Sequence, residues 1–336
     1  LKPLKPQQHF QHHPLDIDMN NVLCIGEALI DMICTDKGSP LSDGEHFLKK
    51  AGGAPMNVAA AIAAFGGNVT VAAKVGNDPF GKHLIDVLNA FHVDTRYVVR
   101  DDHRFTTFAF VSLMQDGERD FYFNRGADGM LTTSDIASID VNTFQIVHFG
   151  SATAFLPGPL QSTYTHLLQQ ALQKNAFVSF DPNYRQLLFG KNQPEFIQQS
   201  WNFIERSHFF KVSDEEAYLI TGTHSLQEAT AVFFKRTKAV FAITLGKEGT
   251  LLGMNGHTAV IPSIPVQPVD TTGAGDAFVG ALLFQLSQFN RNEISSLTID
   301  KWSDICRNAN KAGAKTCEYM GGMEAFKHLN REMLNR

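Results

Sequence analysis

Short apolar runs closed by glycine or a polar residue recur along the chain, and they predict buried parallel strands. Val22-Leu23-Cys24-Ile25-Gly26 is the first, and Val69 to Gly76 is the second. Residues 78–91 read as a helix. From 145 onward the two periods alternate. Strands are predicted at 145–149, 176–181, 208–212 and 239–244, and helices near 159–174, 194–205, 214–221 and 226–236. A last strand pair follows at 250–254 and 257–263. This is the pattern of a doubly wound, mostly parallel α/β sheet. One region breaks it. Arg104 to Met114 and Asp120 to Asn124 alternate around Gln115-Asp116-Gly117-Glu118, which reads as a hairpin turn. A hairpin inside an α/β chain predicts a small appended β lid, contributed by about 34–50 and 95–125.

Two helices are apolar on every side, so they belong in a core. One follows Ala51-Gly52-Gly53-Ala54-Pro55-Met56-Asn57, with Pro55 suited to the first turn and Gly66 to the C-cap. Asn57 is its polar exception, and a buried Asn must hydrogen-bond something, either neighbouring backbone or a polyol hydroxyl. Gly52 and Gly53 leave room for such a ligand to approach the main chain. The other helix follows Asp270-Thr271-Thr272-Gly273-Ala274-Gly275-Asp276. Its free N–H groups and dipole suit an anion. Asp276 at such a site is a poor attractor for an anion but a good base for a hydroxyl that attacks a phosphate. Taken alone, the stretch reads equally as a tight turn with an Asp cap.

Further polar groups fall at predicted strand ends, where open α/β sheets bind ligands. Glu27 and Asp31 follow the first strand. Glu27 reads equally as a solvated loop acid, whereas Asp31 lies inside Leu29-Ile30-Asp31-Met32-Ile33 and needs partners. Phe180 to Arg185, Lys211 to Glu216 and Thr244 to Gly249 end three later strands.

Composition narrows the function. With 336 residues, 43% of them hydrophobic, the chain can bury a large core. A net charge of −5 without basic runs argues against nucleic-acid binding. No apolar run approaches the ~20 residues of a membrane helix. The four cysteines show no zinc or disulfide spacing, as expected of a cytoplasmic protein. Residues 1–20 are polar and rich in Pro, Gln and His, and read as a disordered leader or as sequence appended upstream of a start at Met19. His9, His12 and His13 fit a floppy tail better than a metal cluster. A Walker A loop, G-x-G-x-x-G and G-x-S-x-G are all absent.

The segments Gly52 to Asn57 and Asp270 to Asp276, about 215 residues apart, resemble the two signature regions of the ribokinase-like (PfkB) carbohydrate kinases. The resemblance covers roughly residues 20–325. Within the family, Gly26 to Asp31, Asp116 to Arg119 and Asp181 to Arg185 resemble bacterial fructokinases. It implies a single domain over 21–330 with a three-layer α/β/α fold and a β lid, a homodimer through the lid sheet, ATP and Mg²⁺, with K⁺ as a further cation. It implies transfer of the γ-phosphoryl group to a sugar hydroxyl, with fructose giving fructose 6-phosphate. The alternatives are 2-keto-3-deoxygluconate, ribose or a nucleoside such as aminoimidazole riboside, or a silent regulatory paralogue. By the same resemblance, Asp276 is the base, and Gly273, Ala274 and Gly275 form the anion hole. Asp31, Gly52, Gly53, Asn57, Arg125 and Arg185 contact the sugar side. Ser213, Thr244, Gly246, Gly249 and Asn310 serve the nucleotide. Glu216 holds Mg²⁺ through water, with Ser213 where the family usually has Asn. Asp270 and Thr272 belong to a monovalent-cation site. Met320 and Lys327 stand where related fructokinases often carry Lys and Pro.

Overall fold

A computed structural model describes residues 21–114 and 119–335. In chain order the strands are β1 (Val22–Ile25), β2 (Leu29–Cys34), β3 (Phe47–Gly52), β4 (Val69–Gly76), β5 (Asp94–Asp101), β6 (Thr107–Leu113), β7 (Arg119–Asn124), β8 (Ile146–Gly150), β9 (Phe177–Asp181), β10 (Phe209–Ser213), β11 (Val240–Thr244), β12 (Thr250–Met254) and β13 (His257–Ile261). The first apolar run shows how the layers arise. Successive β1 side chains point to opposite faces. Val22 and Cys24 join one core, and Leu23 and Ile25 join the other. Helices Ala54–Ala64, Pro79–Ala90, Ala274–Leu286 and Ile299–Cys317 fill the first core. Helices Pro159–Gln173, Gln193–Ile204, Asp214–Thr221 and Leu226–Arg236 fill the second. The result is three layers, α/β/α.

The large sheet has nine strands in the order β13-β12-β11-β10-β9-β8-β1-β4-β5. From β11 to β5 neighbouring strands pair parallel, while β12 and β13 add an antiparallel edge. The chain winds outward from β1 in both directions, so the switch point lies between β1 and β8. Ligands bind at the carboxyl ends of the strands there.

A four-stranded sheet, β3-β2-β6-β7, forms the lid. Its composition differs from the sequence expectation of 34–50 and 95–125. Asp94–Asp101 is instead the edge strand of the large sheet, parallel to β4. Leu29–Cys34 lies inside the lid, paired with β3 and β6. An edge strand with one buried face alternates as a lid strand does, so alternation could not separate them. The expected hairpin turn at 115–118, the leader at 1–20 and its histidines lie outside the described residues. Among the described residues no helix is long and apolar enough to cross a membrane.

Candidate active site

The site is built where two core helices meet. Helix Ala54–Ala64 and helix Ala274–Leu286 run side by side in the same direction. Contacts recur every fourth residue. Asn57 Nδ2 donates to Asp276 Oδ2 at 2.8 Å, a Cβ on Gly280 would come within 2.5 Å of the Ala61 Cβ, and the Phe65 and Phe284 rings lie 5.7 Å apart. Small residues at the crossing allow this approach. Both N-termini therefore open onto one spot at the sheet's carboxyl edge.

The expected anion hole starts at Gly273, the N-cap of the second helix, with φ of 80°. The space is as tight as the backbone: a Cβ there would come 2.8 Å from the Gly322 Cα. The Ala274 N–H turns back to Thr271 O at 3.2 Å. Ala274 thus offers no free donor, which narrows the expected anion hole. The N–H groups of Gly275 and Asp276 have no backbone acceptor among the described residues. Asp276 itself is buried. Burial pushes its carboxyl up to about 6, restrained by the Asn57 bond and raised further by Asp181. It is ionised at neutral pH and ready to accept a proton.

The residues expected to contact a sugar come from the lid and the first helix. A Cβ on Gly52 would meet Asp31 Oδ2 at 2.2 Å, so Gly52 makes room for that carboxylate. Burial also raises Asp31 to about 6, against the pull of Arg185. Gly53 has φ of 113° and lies so close to the Glu27 carbonyl that a Cβ would be 2.3 Å away. Asn57 uses its amide nitrogen on Asp276, and its buried Oδ1 has no partner. Arg185 is exposed, and its charge lies within electrostatic reach of Glu27, Asp31 and Asp276, opposing the rise that burial gives each carboxyl. Arg125 does not join them. Its Nη1 donates to Pro157 O at 2.7 Å and its Nη2 to Thr153 O at 3.1 Å, with Asp128 at 3.7 Å. It ties down the 153–157 loop rather than presenting a free guanidinium.

Among the residues expected to serve a nucleotide and its metal, Ser213 and Glu216 form a capping box on helix Asp214–Thr221. Glu216 also accepts from the Tyr184 N–H at 2.7 Å, and its two oxygens retain lone pairs. Thr244 ends β11. Gly246 and Gly249 follow with φ of 56° and 108°, and a Cβ on Gly249 would strike Ile261 O at 2.1 Å. Asn310 departs from expectation. Its amide donates to Ile261 O at 3.1 Å and accepts from Thr250 Oγ1 at 2.7 Å. It braces the β12–β13 hairpin and is buried, so its polar groups are committed to protein. Asp270 accepts from the N–H and hydroxyl of Thr272 and from the Gly321 N–H, which closes the loop before the helix. Among the described residues no three His, Cys, Asp or Glu side chains converge as a metal-binding group. A divalent cation here would be held by phosphate oxygens and water, which suits Mg²⁺.

Asp128 and Lys211 are charged groups in or beside the site to which the sequence pattern gives no role, and Glu27 is not the solvated loop acid that it also allows. Glu27 is fully buried and caps helix Ala54–Ala64 by accepting from the Ala54 N–H at 2.9 Å. Burial raises it to about 8, so it holds a proton at neutral pH. Asp128 is buried and accepts from Thr107 and Thr153. Lys211 pairs with Asp181 at 3.2 Å. The signal for Lys211 was available: a lone charge inside the apolar run Phe209-Phe210-Lys211-Val212.

Known proteins share this arrangement. The chain is 35% identical over 309 residues to fructokinase-1 of Oryza sativa subsp. japonica, covering 91% of this chain and 94% of that one. A fructokinase structure from Xylella fastidiosa with bound ATP superposes with a TM-score of 0.82 at 29% identity, over 94% of this chain and 97% of the other. A fructokinase double mutant from Vibrio cholerae O395, with fructose, ADP and potassium ion bound, gives 0.78 at 31% identity, over 94% and 97%. The sequence pattern of pfkB family carbohydrate kinases matches residues 19–328. With that match over nearly the whole chain, and with the two signature segments meeting at Asp276, the protein belongs to the pfkB family of carbohydrate kinases.

Proposed function

We propose that the protein is an ATP-dependent fructokinase that forms fructose 6-phosphate. The observation that carries this reading is the Asn57–Asp276 bond, because it joins a sugar-side helix to a phosphate-side helix at an ionised carboxylate. Asp276 takes the proton of the attacking hydroxyl. The N–H groups of Gly275 and Asp276 face the transferring group. Asp31 and Asn57 orient the sugar, and Arg185 lies where sugar and phosphate meet. The turn at Thr244 to Gly249 lies beside the nucleotide. ATP supplies the phosphoryl group; Mg²⁺, when bound, would shield its charge, and Glu216 is the residue that would hold that ion through a water. Asp270 and Thr272 are the residues that would support a monovalent cation such as K⁺. Closure of the lid keeps water from the phosphoryl group.

Two further readings go with this one. The lid presents exposed Ile33, Leu48 and Leu113, which supports a homodimer through that sheet, and the mass in solution tests it. The four cysteines are free, in keeping with the cytoplasm, and fractionation of cells tests that.

Initial rates with ATP and Mg²⁺ across a panel of fructose, ribose, 2-keto-3-deoxygluconate and aminoimidazole riboside test the substrate. Fructose is expected to give the highest kcat/KM, by ~10-fold or more, with faster turnover in K⁺ than in Na⁺. A higher kcat/KM on another member of the panel reassigns the substrate. No turnover on any of them refutes a kinase role.

A further inference from the structure

We propose that Lys211 is a catalytic cation of the anion hole: its ammonium contacts the phosphoryl group in flight. This rests on the kinase reading above and adds a residue to it.

The position is the first ground. Lys211 sits on β10 and is buried, and its Nζ lies 3.2 Å from where a Cβ on Gly275 would stand. The ammonium therefore lies against the backbone whose N–H opens the helix. Its bonding is the second ground. An ammonium has three donors. Among the described residues its one hydrogen-bond partner is Asp181 Oδ2, at 3.2 Å. A purely structural pair gains little from burial unless the remaining donors are satisfied. Asp181 is itself fixed, since its Oδ1 accepts from the Asn183 N–H. Lys211 is thus held from one side with donors to spare.

Charge balance is the third ground. The helix N-terminus carries about half a positive charge. Asp276 in its first turn opposes that field. Asp181 and Glu216 add two more carboxylates within electrostatic reach of Lys211. Burial works against the ammonium, but Asp181, Glu216 and Asp276 outweigh it, and it stays protonated. A triphosphate entering this setting meets three acids, and Lys211 is the buried cation among them. Nearby His148 does not share the charge, because burial and Lys211 push it down to about 3.

The chemistry balances without another reagent. The bond from the γ-phosphorus to the bridging oxygen breaks, and a bond to the sugar oxygen forms. The hydroxyl proton passes to Asp276. Lys211 keeps its proton throughout and offers two N–H donors to the equatorial phosphoryl oxygens, while Asp181 retains the third.

The test compares wild type, Lys211→Met and the double variant Lys211→Met/Asp181→Asn, which avoids leaving a buried carboxylate unpaired. Wild type is assayed first with ATP and fructose, and failure there overturns the kinase reading rather than the role of Lys211. With an active wild type, both variants are expected to lose ~10²–10³-fold in kcat while KM for fructose stays within ~3-fold. Inhibition by ADP with aluminium fluoride, a mimic of the phosphoryl group in flight, is expected to weaken ~10²-fold, with ADP alone nearly unaffected. A merely structural lysine would lower the melting temperature and leave the fluoride complex as tight as in wild type. A folded double variant with kcat within ~3-fold of wild type, or with undiminished fluoride binding, overturns the proposal.

Discussion

Asp276→Asn is expected to lower kcat by ~10²–10⁴ while the protein stays folded. The substitution keeps shape. An amide oxygen can still accept from Asn57, the partner that holds the side chain at 2.8 Å in the native protein. It removes only the capacity to take a proton. Stability should not fall. The folded-state pKa of Asp276 lies above its ordinary value of 3.8, at about 6. Above pH 6 the native protein therefore carries an ionised carboxylate that burial disfavours, and stability declines as pH rises through that value. The amide escapes this cost, so the variant should melt at or above the wild-type temperature at pH 7.5. Steady-state kinetics and a thermal melt on the same preparation check both halves. A folded variant with near-normal turnover would remove Asp276 from the role of base.

The second large effect is expected from Gly273→Ala, which adds one methyl group and no charge. Gly273 occupies the left-handed region at φ of 80°, which costs an L-residue about 1–2 kcal/mol. The methyl would also meet the Gly322 Cα at 2.8 Å and the Phe326 ring at 3.2 Å. The loop cannot yield freely, because Asp270 ties it to Gly321. The first turn of the helix must shift, and with it the N–H groups of Gly275 and Asp276. Loss of one anion-hole donor costs ~10²–10³ in kcat, and the same is expected here. KM for the sugar should change far less, since Asp31 and Asn57 lie on other elements. A kcat within ~3-fold of wild type would place the phosphoryl group away from this turn.

Much of this was legible in the chain itself. Two helices apolar all round had to be buried, and Asn57 and Asp276 were the polar exceptions at their starts. Burial meant that each needed a partner, and the structure joins them to each other. The sequence could state the need but not name the partner. Asn310 shows the same limit, since its buried amide is met by a hairpin rather than by a nucleotide. Arg125 likewise turns two of its donors to carbonyls of a neighbouring loop. The lid strand Leu29–Cys34 was missed because only three residues separate it from β1, and local pattern does not reveal a change of sheet. Glu27 and Lys211 were readable as charges beside or within apolar runs, yet what they do depends on residues far off in sequence.

The most direct test of Asp276 as an ionised base is the pH dependence of kcat/KM for fructose. Asp276 and Asp31 are both raised to about 6 in the free protein. In the proposed roles both must be ionised, the first to take a proton and the second to hold the sugar. Activity should therefore be level above pH 7 and fall below about pH 6, by one to two decades per pH unit. A profile that stays flat from pH 7.5 down to pH 5, in protein still folded throughout, would contradict the assignment of Asp276 as the base.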